Sequence, residues 1–264
     1  MTRYVSIALL GVALGARTAI AADPDPVVSL WYRGQPAGVP RAEDLDEIRA
    51  AGFSGVTWPI ESAPGVGALT RLAEAAGLAV VVRPGSAKLT AASALKGSDL
   101  VDVDVTMTPT ATVTPIVWRA IAHGARAIAF DPGRAAGTGL VDRKGRPLLW
   151  AAAGADIARQ LRINGGLIAQ CRPGPAVTID QPVPEALDVV LLDAGKSWVL
   201  MATNTSRSRA RAVVHLPARV PYALWLNLLN GSALAMLHLP AGPTWNLDIE
   251  AWGVRVEVID KVLR

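Results

Sequence analysis

Residues 50–59, AAGFSGVTWP, set a phrase that the chain writes twice more, as AAGLAVVVRP at 75–84 and AHGARAIAFDP at 122–132. Each copy ends a helical run, passes through a glycine and continues as a short apolar run. It then stops at a proline, after one large or charged side chain. A glycine in that place caps a helix, because glycine takes the left-handed conformation at little cost. The residues upstream agree. In RAEDLDEIRAA (41–51), Leu45, Ile48 and Ala51 share a face, acidic residues cluster near the start and Arg49 stands near the end. GALTRLAEAA (67–76) and TPIVWRAIAH (114–123) repeat the pattern. The apolar runs after the glycines suit strands buried on both faces, as in parallel sheets. Helix, glycine, buried strand, proline and helix make the unit of a parallel α/β fold.

Two further strands complete the series. VVSLWYRG (27–34) opens it, and DLVDVDVT (99–106) falls between the second and third copies. There the spacing of 47 residues from Gly77 to Gly124 is close to twice the 25 from Gly52 to Gly77. A helix over 148–168 follows the last strand. Five units in residues 22–170 fall short of the roughly 250 residues of a full eightfold barrel. The fold class is therefore α/β, an incomplete or reduced TIM-type (β/α) barrel whose missing units leave the sheet open. CRPGPAVTIDQPVPEALD (171–188) is proline-rich, and 171–186 reads as a linker. Residues 187–264 then alternate as short strands: a hairpin at 187–204, a strand at 209–217, a second hairpin at 223–240 turning at Asn230-Gly231, and a closing strand at 252–260. Val254, Val256 and Val258 share one face of that strand, Arg255 and Glu257 the other. The second unit is predicted to be a small antiparallel β-sandwich.

The first residues are set apart by composition. MTRYVSIALLGVALGARTAIAADP has a basic start, an apolar run too short to span a bilayer comfortably, and the small-x-small sequence Ala19-Ile20-Ala21. Residues 1–21 read as a signal peptide and the protein as secreted or periplasmic, with an uncleaved anchor as the alternative suggested by Arg17. Later apolar runs are broken by charges, prolines and glycines, so no membrane span is expected in the mature chain. The formal charge of +4 falls to +2 once Arg3 and Arg17 are removed. That gives no basis for nucleic-acid binding. Cys171 is the only cysteine, which excludes an internal disulfide and reads as a buried, inert thiol. His123, His215 and His238 lack ligand spacing, so no zinc site is predicted, and no cofactor. DAGKS (193–197) copies the end of a P-loop, but position 190 is valine where the earlier glycine should stand.

HGARAIAFDPG (123–133), followed by TGLVDRKGRPLLWAAAGADIARQLRIN (138–164) and a small β-unit, resembles the barrel glycoside hydrolases of the beta-galactosidase-like kind. In that family the final strand ends at the sugar site, a D-x-x-G-x-P segment (here Asp142 to Pro147) leads the last helix, and a β-domain packs behind. The resemblance implies polysaccharide or glycoside processing at the barrel's C-terminal mouth. It does not extend to the family's catalytic glutamates on the fourth and seventh strands. The fourth strand here carries Asp102 and Asp104, and strands five to seven are absent.

Ligands of parallel α/β folds bind at the carboxyl ends of strands. The repeated phrase places Trp31, Tyr32, Arg33, Trp58, Glu61, Arg83, Asp104 and Asp131 at or near that edge. Two carboxylates flanking a glycosidic bond suffice for hydrolysis. Glu61 and Asp131 are the nominated catalytic pair, with Asp104 as substitute. Trp31, Tyr32 and Trp58 would stack on sugar rings, and Arg33 or Arg83 would bind hydroxyls or a uronate. Against these stand plainer readings: Asp131 in a turn, Glu61 at a helix start, Trp58 in the core. The sequence thus carries two readings, an exported glycoside hydrolase-like protein acting on or binding a carbohydrate, or a non-catalytic carbohydrate-binding or structural module derived from a barrel glycosidase. Open strand edges further predict a homodimer.

Overall fold

The three repeated glycines end three helices in one and the same way: α1 (Ala42–Ala50), α2 (Ala63–Ala75) and α3 (Thr110–Ala122). The computed structural model describes residues 26–32, 40–59, 63–83, 100–106, 108–132, 138–141, 144–146, 148–180, 186–217, 225–229, 233–234, 237–239 and 242–261. Gly52, Gly77 and Gly124 have φ of 96°, 69° and 100°, the left-handed region. Each glycine N–H donates to the carbonyl three residues back, on Arg49, Glu74 and Ile121. The next N–H reaches five residues back, from Phe53 to Ile48, Leu78 to Ala73 and Ala125 to Ala120. That is the Schellman closure, which satisfies carbonyls the helix end leaves without partners. Its apolar partners Phe53 and Ile48, Leu78 and Ala73, and Ala125 and Ala120 are all buried. The phrase is a stop signal that turns each helix directly into the next strand.

Those strands are β2 (Gly55–Pro59), β3 (Ala79–Arg83) and β5 (Ala127–Asp131), joined by β1 (Val27–Trp31) and β4 (Leu100–Asp104). They form one parallel sheet in the order β3-β2-β1-β5-β4. The last strand lies beside the first, as the closing strand of a ring would, while β3 and β4 pair with no further strand among the described residues.

Register partners across parallel strands share a face. Leu30, Val56, Val80, Phe130 and Val103 make one side, and Ser29, Gly55, Ala79, Ala129 and Asp102 the other. The bulky side packs with Leu45, Ile48, Leu69, Val117, Trp118 and Ile157 in one buried cluster. The last residue of that set comes from α4 (Leu149–Gln170). At its Gly154 an added Cβ would stand 3.1 Å from the Phe53 ring, so the helix backbone needs glycine there to approach. No helix among the described residues is long and apolar enough to cross a membrane.

The remaining strands are antiparallel. They are β6 (Arg172–Pro173), β7 (Thr178–Ile179), β8 (Leu187–Asp193), β9 (Ser197–Asn204), β10 (Ala210–His215), β11 (Trp225–Asn227), β12 (Ala233–Leu234), β13 (Leu237–Leu239), β14 (Gly242–Ile249) and β15 (Val254–Asp260). One sheet runs β12-β11-β15-β9-β8-β6 and the other β13-β14-β10-β7. Leu191, Trp198 and Leu200 of the first and Val214, Trp245 and Leu247 of the second belong to a shared buried cluster. The opposite face of the six-stranded sheet, with Val199, Met201 and Val256, joins the helical core.

The hairpin expected over 187–204 is present, with Leu187 opposite Asn204 and Gly195 at φ 71° in its turn. That turn accounts for DAGKS. The hairpin expected over 223–240 is β11 with β12, but its Asn230-Gly231 turn lies outside the described residues and β13 crosses to the other sheet. One expectation needs revision. The stretch read as a linker supplies an edge strand to each sheet, β6 beside β8 and β7 beside β10. Glu257, on the face of β15 opposite Val256, is fully buried.

Candidate functional site

The carboxyl ends of the parallel strands collect the chemistry-bearing residues. Asp104 ends β4, Asp131 ends β5, and the two are direct register partners on the small-residue side of the sheet. Adjacent strands stand about 4.8 Å apart, so the two carboxylates are neighbours by construction. Asp102 lies two residues earlier on the same side, opposite Ala129. Pro59 and Arg83 are register partners at the ends of β2 and β3, and Trp31 ends β1 opposite Thr57.

Asp104 is held in place from its own turn. Its Oδ1 accepts a hydrogen bond from the Thr106 N–H at 3.0 Å and from the Thr106 hydroxyl at 2.6 Å. Such a short-range clasp fixes the carboxylate rotamer. Asp104 and Asp131 are both half-buried, so solvent and a ligand can reach them. Deeper on the same side, the Ser29 and Thr57 hydroxyls meet at 2.6 Å and Ser29 donates to the Ile128 carbonyl. These two buried groups satisfy each other and lock β1, β2 and β5 together beneath the carboxylates. Sequence reading passed over Thr106, Ser29 and Thr57. The signal available for them was parity, since Ser29, Thr57 and Ala129 break runs of large apolar residues on one face only.

Parity also corrects two expectations. Tyr32 and Trp58 share a side with Leu30 and Val56, facing the helices, and each is 1 % exposed. Their rings pack 5.7 Å apart at 45°. The Tyr32 hydroxyl donates to Asp44 Oδ2 at 2.7 Å and accepts from the Arg41 N–H at 3.0 Å. Burial, and next the Asp44 carboxylate to which it donates, push the phenol well above its usual range. Both rings are core and helix anchor, so neither has a face left for a sugar. Trp31 and Arg83 stand at the strand ends as expected; Glu61 and Arg33 lie outside the described residues.

The other singled-out groups have structural partners. His123, one residue past α3, meets Asp188 Oδ2 at 2.8 Å, and Arg119 lies 3.4 Å from the same oxygen. Cys171 is buried, donates to the Leu167 carbonyl at 3.5 Å and has its thiol pushed up to about 11, chiefly by burial. It is inert at neutral pH.

No protein-family model and no curated protein matches the chain. Among solved structures it is similar to the alpha-fucosidase of Thermotoga maritima, at 9% identity and a TM-score of 0.49, over 84% of this chain and 79% of that one. It is also similar to an alpha-amylase of Anoxybacillus, at 8% identity and 0.46, over 85% of this chain and 57% of that one. A GH30 endoxylanase of Clostridium papyrosolvens gives 8% identity and 0.43, over 89% and 96%. All three neighbours are glycoside hydrolases. At these scores the likeness carries no argument about this chain, and the reading below rests on its own residues.

Proposed function

We propose that this chain is an exported glycoside hydrolase-like protein that takes a carbohydrate at the carboxyl edge of its parallel sheet. The observation that carries the proposal is the register pairing of Asp104 with Asp131 on the small-residue side. Carboxyls on neighbouring strands match the separation of about 5–5.5 Å used by retaining glycosidases, where one carboxyl protonates the leaving oxygen and the other attacks the anomeric carbon. Asp104, clasped by Thr106, takes the nucleophile's part and Asp131 the proton donor's. Asp104 thereby replaces Glu61 in the pair, and Trp31 and Arg83 remain the strand-end candidates for ring stacking and hydroxyl contacts. In this reading the five strands are a reduced (β/α) barrel lacking its middle units, residues 1–21 are a signal peptide and residues 187–264 a β-sandwich unit.

The test is turnover of a panel of aryl glycosides by the full chain, with Asp131→Asn and Asp104→Asn beside it. Loss of one acid or base group lowers kcat by about 10²–10⁴. Turnover that survives both substitutions would remove the pair from the mechanism.

One observation favours the second reading, a non-catalytic binding or structural module: among the described residues the sheet has five strands, and β3 and β4 are its edges. Glycan binding without turnover, weakened at least fivefold by Asp131→Asn, would select it.

A further inference from the structure

Away from the carboxyl edge, beside the start of β5, the described residues enclose a cleft of about 430 Å³. It lies where the α3–β5 turn, the chain following α4 and strand β8 meet. Ile121, Pro175, Val190 and Leu192 give it apolar walls, the last two on the face of β8 that packs with Ile121. Its charged lining residues are Arg126 and Arg172, with the His123 imidazole beside them. A mostly apolar concavity of a few hundred Å³ with a small number of convergent polar groups is the usual form of a small-molecule site.

Both guanidiniums are held rigidly by the end of α4. Arg126 donates to the Ile168 and Cys171 carbonyls at 3.2 and 3.1 Å, through different Nη atoms. Arg172 donates from Nη1 to the Ala169 and Cys171 carbonyls at 3.2 and 3.0 Å. Each guanidinium has five N–H donors, so these bonds position it and leave three. The helix end contributes about half a negative charge, which two full positive charges outweigh. The nearby carboxylates are already engaged, Asp188 by His123 and Arg119, and Asp193, the register partner of Arg172, by Lys261.

We propose that this cleft binds an amphipathic monocarboxylate, with its apolar body against Ile121, Val190 and Leu192 and its carboxylate on Arg126 and Arg172. The pairing uses the planar donor fork of arginine, which matches a carboxylate's two oxygens. The site is independent of the sugar reading, since it shares no residue with the Asp104–Asp131 edge.

The test is calorimetric titration of the full chain with octanoate, kept below its micelle-forming concentration. 1-Octanol serves as the uncharged control. Octanoate should bind saturably at one site per chain and raise Tm, and octanol should bind at least tenfold more weakly. Arg172→Gln should weaken octanoate at least fivefold and Arg172→Lys should recover part of that loss. Ala176→Trp, at an exposed position on the cleft wall, should block it. A loss in either Arg172→Gln or Ala176→Trp with an unchanged far-UV CD spectrum supports the site. No saturable binding, equal affinity for octanol, or unchanged affinity in both variants overturns it.

Discussion

Glu257 is the residue whose surroundings most oppose its chemistry. It is fully buried on β15; its Oε1 accepts from Asn227 Nδ2 at 3.0 Å, and its Oε2 has no hydrogen-bond partner. The Arg255 guanidinium stands 3.7 Å from Oε1. Burial raises the carboxyl above its ordinary value, against the smaller lowering effects of Asn227 and Arg255. A raised folded value means the native state holds the proton more tightly than the unfolded chain does. The contribution to stability is therefore greatest below the unfolded value of about 4.3, declines as pH rises towards the folded value and is level above it. Glu257→Gln should remove that slope and raise stability at pH 7 by about 1 kcal/mol, because an amide costs less to bury than a carboxylate. Urea unfolding of both proteins from pH 4 to 8 reads this directly; parallel curves would contradict it.

At the scale of elements, the helix stops lend themselves to a graded test. A Cβ at Gly77 or Gly124 would meet nothing within 4 Å, so Gly→Ala there should cost only the left-handed conformation, about 1–2 kcal/mol. At Gly52 the added Cβ would also stand 3.2 Å from Ala155 Cβ, and the loss should be larger. Thermal melts of the three variants should rank Gly52→Ala lowest; equal losses would mean the helix stop ignores its packing. Tyr32→Phe should also destabilise by about 1 kcal/mol through the lost bond to Asp44. It should leave glycan binding untouched, as a core residue would.

These elements show what could be read from the chain and what could not. The glycine stops, the five parallel strands and the 187–204 hairpin were legible because each depends on local rules of conformation and alternation. The misplacement of Tyr32 and Trp58 came from reading strand ends as an edge without applying parity, which puts every second residue under the helices. The role of 171–186 was hidden because two-residue strands such as β6 and β7 have no periodicity and exist only through their partners. The burial of Glu257 was not legible because alternation tells one face from the other but not whether a second sheet covers it. The register pairing of Asp104 with Asp131 was not read from the sequence, which nominated Glu61 with Asp131 and held Asp104 as substitute, and the clasp of Asp104 by Thr106 is a turn detail that no spacing reveals.

For the whole molecule, the topology has a consequence at β3 and β4, the two edges of the parallel sheet among the described residues. Unpaired edges favour association, and we expect a dimer formed through them. Sedimentation velocity at tens of micromolar should show it; a monomer at every concentration would contradict it. The six-stranded sheet shares its core with α3 and α4 on one face and with the four-stranded sheet on the other, so the antiparallel part is bound into the same packing as the parallel one.

The central claim is that the carboxyl edge brings Asp104 and Asp131 side by side on one face. Disulfide trapping tests it in solution, because adjacent strands fall within the Cα separation of about 4.4–6.8 Å that a disulfide needs. In the double variant Asp104→Cys, Asp131→Cys, mild oxidation should close an intramolecular bridge, leaving Cys171 as the one free thiol. The control Val103→Cys, Asp131→Cys, whose side chains fall on opposite faces, should stay reduced. Should the first pair remain as reduced as the control, the two carboxylates do not share an edge and the site proposed here does not exist.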